Sequence, residues 1–113
     1  MNINDFSEVK IEVYLPEANL AQLQSALHQA GAGIVGNYDN VFATTKVTGH
    51  WRPLEGANPA IGTIGEIETA PEIKLEINCK RELISEVLKA IRANHPYEEP
   101  LIRVIPILNK FFE

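Results

Sequence analysis

The hexapeptide His95-Pro96-Tyr97-Glu98-Glu99-Pro100 gathers an imidazole, a phenol and two carboxylates within one short run. Imidazole nitrogen and carboxylate oxygen are ligands for zinc or copper, so His95 with Glu98 or Glu99 forms the candidate metal set. His50 or another subunit is the source of any completing ligand. This set is short of what structural or catalytic zinc needs, and the plain alternative for His95 is a corner histidine hydrogen-bonded to backbone. Tyr97 then reads as a core or interface ring with a satisfied hydroxyl. Asp39 beside Tyr38, in a glycine-rich loop, is the other place where a small ligand could be held, against a default reading as turn residues. No nucleophile–base pair is evident, which makes an enzyme the weakest reading. Cys79 is the single cysteine, so an intrachain disulfide and a CxxC site are excluded and a buried, inert thiol is expected.

These residues need a scaffold, and the sequence supplies one. Each proline fixes its own φ and pushes the residue before it out of the helical region, so the hexapeptide is a stiff corner. A helix must stop near Asn94, and the β-branched run Ile102-Arg103-Val104-Ile105 must start a strand. Earlier, Val9, Ile11, Val13 and Leu15 alternate with Lys10, Glu12 and Tyr14, the period of a strand with one buried face. Pro16 and Glu17 suit the first turn of a helix whose apolar stripe is Leu20, Leu23, Leu27 and Ala30, with His28 off the stripe and solvated. Gly31-Ala32-Gly33-Ile34-Val35-Gly36 matches the dinucleotide fingerprint, but a helix precedes it and a strand follows. That is the reverse of the context a pyrophosphate needs, so Gly31 is expected as a left-handed helix cap.

Val41 to Gly49 reads as a second strand. Residues 50–68 then form a long excursion, punctuated by proline and glycine and carrying Trp51, Leu54, Ile61 and Ile64, which are costly to leave in water. An oligomer contact and local packing are both open readings for it. Ile73, Leu75 and Ile77 alternate as a third strand after a break at Pro71, and a helix from about Arg81 to Asn94 buries Ile84, Val87, Leu88 and Ile91. The order β-α-β-β-α-β predicts an α+β, ferredoxin-like sandwich: a four-stranded antiparallel sheet with two helices on one face. A single domain over 1–113 is expected, with its core at about 8–108.

Charge and composition narrow the partners. The chain of 113 residues has a formal charge of −5 with its basic residues scattered singly, which argues against nucleic acid. The start Met1-Asn2-Ile3-Asn4-Asp5-Phe6 has neither a cationic nor an apolar signal segment, and no run is long enough for a bilayer, so a cytoplasmic location without membrane contact is expected.

Three stretches together carry a resemblance. Gly31 to Asp39, Trp51-Arg52-Pro53-Leu54-Glu55-Gly56 through Pro59, Gly62, Gly65 and Glu68, and the His95–Pro100 corner resemble the small inserted domain of the NGG-one-interacting-factor-three (YqfO-like) family, in its stand-alone form. The corner and topology are also similar to those of the CutA divalent-cation-tolerance family, whose ferredoxin-like, PII-like subunits form trimers. The resemblance implies a homo-oligomer, trimer before dimer, acting as a non-catalytic binding or regulatory module; its small-molecule or protein partner stays open. Gly36, Tyr38, Asp39, Trp51, Pro53, Gly62, Gly65 and Tyr97 are the positions it points to as a ligand cleft or interface. The halves that bear the larger proteins' dinuclear metal site have no counterpart here, so their suspected hydrolase activity does not carry over. Asn40 and Val41 stand where the stand-alone form often has cysteine, which weakens a copper-thiolate reading.

Overall fold

Alternation builds the sheet. The computed structural model describes all residues 1–113, and in it Val9, Ile11, Val13 and Leu15 of β1 (Glu8–Leu15) point to one side and are buried. Ile73, Leu75, Ile77 and Cys79 of β3 (Glu68–Lys80) do the same beside them, through the antiparallel register Val9↔Cys79 to Leu15↔Ile73. Leu23 and Leu27 of α1 (Leu20–Gln29) and Val87 and Ile91 of α2 (Ile84–Ala93) close the same core, so both helices cover one face. With β2 (Phe42–Trp51) and β4 (Ile102–Ile107) the sheet order is β2-β3-β1-β4, all antiparallel. The architecture is the α+β ferredoxin-like sandwich.

Two helix boundaries follow from local chemistry. Glu17–Asn19 and Arg81–Leu83 wind as single 3-10 turns ahead of α1 and α2, so the first helix begins slightly later than its proline implies. At the other end of α1, the Ala32 N–H donates to Leu27 O at 3.0 Å and the Gly31 N–H to His28 O at 3.1 Å. This is the two-bond Schellman cap, with Gly31 at φ +91° as its left-handed residue. The fingerprint-like glycines therefore end a helix rather than cradle a phosphate.

Two expectations about strands are corrected. Pro71 does not break β3: it sits inside the strand opposite Thr48, and β3 begins at Glu68. The β1 partner ends at Leu15↔Ile73, so at Pro71 the strand has only β2 beside it and a missing N–H is tolerated on the free edge. β2 likewise runs past Gly49 to Trp51, paired with Glu68. The result is a two-stranded arm projecting beyond the sheet, and residues 52–67 cap its tip.

Candidate functional site

The corner is locked by the histidine itself. His95 Nε2 lies 2.7 Å from Tyr14 O, and the Tyr97 N–H donates to His95 Nδ1 at 3.2 Å. A carbonyl only accepts and an amide N–H only donates, so these partners fix the neutral tautomer with its proton on Nε2. Burial pushes the His95 pKa below its usual 6.5, against the opposing pull of the Tyr14 carbonyl and the Glu72 charge. Tyr14 is the penultimate residue of β1, so the imidazole pins the corner to the sheet. Glu98 Oε1 accepts the Asn58 N–H at 2.9 Å and pins the same corner to the capping loop. Glu99 is exposed.

The capping loop folds back on the arm. Trp51 Nε1 donates to Ile61 O at 3.1 Å, and the Gly65 N–H donates to Pro53 O at 2.7 Å. Gly62 has φ +114°, and a Cβ there would meet the buried Pro53 ring at 3.3 Å and Trp51 Nε1 at 3.4 Å, so the close approach and the backbone both favour glycine. The Trp51 ring then stands 6.0 Å from Tyr97 at 42°, and Tyr97 stands 5.0 Å from His95 at 53°.

Between arm, capping loop and corner lies a cleft of about 620 Å³, walled by Trp51, Pro53, Tyr97 and Leu101 and bounded by Glu98 and Glu99. At its floor sit two groups. The Tyr97 hydroxyl is buried with no hydrogen-bond partner, and burial, reinforced by the Glu72 carboxylate, pushes its pKa up to about 12. Glu72 itself is 8 % exposed and lines the cleft. Its carboxylate lies across Gly49, where an added Cβ would fall 2.6 Å from Glu72 Cδ; Gly49 is glycine because Glu72 occupies that space.

The structure unites Trp51, Pro53, Gly62, Gly65, Tyr97, Glu98 and Glu99 with His95 at one end of the molecule. It does not unite Gly36, Tyr38 and Asp39 with them. Those residues form a turn, closed by the Val35–Tyr38 bridge, beside the opposite end of β2. Ten residues at about 3.3 Å each put roughly 30 Å of strand between the two places. Tyr38 is 75 % exposed there. The expected metal set also fails to converge: both His95 nitrogens are bonded to backbone, and no group of three or more His, Cys, Asp or Glu side chains is placed to hold an ion. Sequence reasoning missed Glu72, whose place on an alternating strand reads as solvated. The signal was Gly49, an isolated glycine in a β-branched run, which marks a close approach.

Comparison with known proteins points two ways. The family model described as CutA1 divalent ion tolerance protein matches residues 63–111. The GTP cyclohydrolase 1 type 2 homolog of Halalkalibacterium halodurans is 38 % identical over 101 residues, covering 89 % of this chain and 27 % of that protein. Its Bacillus subtilis counterpart is 36 % identical over 98 residues, 87 % of this chain and 26 % of that one. The chain spans about a quarter of these relatives. Among solved structures, a Bacillus cereus protein related to NIF3 superposes with a TM-score of 0.79 at 31 % identity, over 90 % of this chain and 26 % of that one. The periplasmic divalent cation tolerance protein CutA from Archaeoglobus fulgidus gives 0.65 at 20 % identity, over 92 % and 90 % of the two chains, which is a likeness of fold.

Proposed function

We propose that this chain is a non-catalytic, self-associating binding or regulatory module of the kind found within NIF3-related proteins, and that its ligand site is the cleft at the tip of the arm. The observation that carries the reading is a pair lining the cleft: the Tyr97 hydroxyl, buried without a well-formed hydrogen bond, and beside it the carboxylate of Glu72, a residue only 8 % exposed, both at a space large enough for a small molecule. A buried hydroxyl left unpaired is costly, and a ligand that satisfies it recovers that cost. His95 supports a binding rather than a catalytic role, because both its nitrogens are committed to backbone. Single-domain behaviour over 1–113 is part of the same reading.

A divalent-metal function draws on the description of the matching family model. In this chain it requires His95 to leave Tyr14 and Tyr97 before zinc or copper is bound. Native mass spectrometry on protein purified without chelator separates the two. A closed oligomer carrying a small organic mass, or none, fits the module; one metal per subunit, lost in His95→Ala, replaces it with the metal reading.

A further inference from the structure

The chemistry of the cleft narrows its ligand. Three carboxylates, Glu72, Glu98 and Glu99, face it against one guanidinium, Arg52. Glu98 is already engaged by the Asn58 N–H, whereas Glu72 has only the Tyr97 phenol beside it. Glu72 takes part in none of the chain's ion pairs, which join Lys10, Glu12, Lys74 and Glu76 on the sheet and Glu86 to Lys89 on α2. A carboxylate this buried normally has a cationic or hydrogen-bonding partner. Beside it the Tyr97 oxygen has lone pairs that accept no hydrogen bond, and Trp51 and Tyr97, whose ring type attracts cations, both line the cleft. The rest of the wall, Pro53, Leu54, Ala57 and Leu101, is apolar.

Building on the cleft reading above, we propose that the site takes an organic cation: a primary alkylammonium whose N–H groups donate to Glu72 and Tyr97, with its carbon chain against Trp51 and the apolar wall. A metal ion would leave that wall unused and lacks a third converging ligand. A carboxylate or phosphate would meet Glu72 and Glu99 with like charge. The net charge of −5 adds a long-range attraction for cations.

Trp51 is the sole tryptophan, so its emission reports on the cleft directly. The test is a titration of the intact chain with hexylamine, hexanol and hexanoate, probes of one length that differ in head-group charge. Hexylamine is expected to give a saturable change, with binding at least about tenfold weaker in Glu72→Gln, since a charge-assisted hydrogen bond is lost. Tyr97→Phe, which keeps the ring, is expected to weaken hexylamine severalfold and supplies the test should Glu72→Gln fail to melt cooperatively. Hexanol or hexanoate binding as tightly as hexylamine overturns the cation while the cleft stands. No response to any of the three overturns both the cation and the cleft reading. Zinc alone displacing hexylamine and holding its affinity in Glu72→Gln also overturns the proposal.

Discussion

At the scale of single residues, the site depends on two side chains, His95 and Tyr97, whose protonation is set by their surroundings. His95 is held neutral by one backbone donor and one backbone acceptor, and its folded pKa lies below 6.5 because of burial. The unfolded chain therefore gains a proton first as pH falls. The stabilisation is present above the unfolded pKa and is lost as pH drops through the folded one. Thermal melts from pH 7 downward are expected to show this loss, and His95→Gln, which cannot titrate, is expected to flatten that part of the profile while lowering stability at pH 7. Tyr97 works at the other end of the scale. With its pKa pushed from 10.0 to about 12, the native state keeps a proton that the unfolded state has released, so stability declines as pH rises from 10.0 toward 12. Alkaline denaturation followed by phenolate absorbance is expected to lose that component in Tyr97→Phe. Gly49→Ala places a methyl group where Glu72 lies, and overpacking there is expected to cost about 2 kcal/mol by chemical denaturation and to weaken any cleft ligand. Without a structure, Glu72 is one more outward glutamate, because strand periodicity says which face a residue takes and nothing of what a neighbouring arm then covers.

At the scale of elements, periodicity and capping carried most of the information. The stripes of α1 and α2 and the alternation of β1 and β3 locate the core, and the structure buries Leu23, Leu27, Val87 and Ile91 against that sheet face. Leu27 is fully buried, so Leu27→Ala is expected to cost about 3 kcal/mol in urea unfolding. Gly31→Ala, which forces a side chain into the left-handed region toward Leu83, is expected to cost about 1 kcal/mol. The strand ends were the less readable part. Proline disfavours a strand only where its absent N–H is needed, and whether it is needed at Pro71 depends on β1 stopping at Leu15, which is a fact of pairing rather than of local sequence. The same long-range pairing carries β2 to Trp51 and turns an apparently irregular excursion into the cap of an arm. The candidate site was readable in its parts for the same reason: the corner and the capping loop each announce themselves by proline and glycine. Their meeting, and the exclusion of the Tyr38–Asp39 turn from it, follow only from the length of the strand between them.

At the scale of the molecule, one face of the sheet has no helix. Lys10 pairs with Glu12 at 3.0 Å and with Glu76 at 2.8 Å, and Lys74 pairs with Glu12 at 3.3 Å, a network in which Glu12 is only 9 % exposed. Glu76 and then Glu12 raise the Lys10 pKa, and Lys10 in turn lowers that of Glu12, so this pair favours its charged forms. Next to it β4 forms an open edge, with Val104 and Ile105 each 39 % exposed. An edge strand with bare β-branched side chains is a template for pairing, which Arg103 and Pro106 blunt only in part. Ile105 lies opposite Lys10 on the helix-free face, so its side chain belongs to the surface that a second copy would cover. Ile105→Lys leaves the helix-covered core untouched and places a charge on that surface. Sedimentation velocity at micromolar concentration is expected to show the parent chain as a closed oligomer and Ile105→Lys as a folded monomer with its melting transition retained. A parent chain that sediments as a monomer overturns self-association, and an Ile105→Lys chain that keeps the parent's subunit number moves the contact away from β4 to the exposed apolar residues of the capping loop, where Leu54 and Ile64 are the next to substitute.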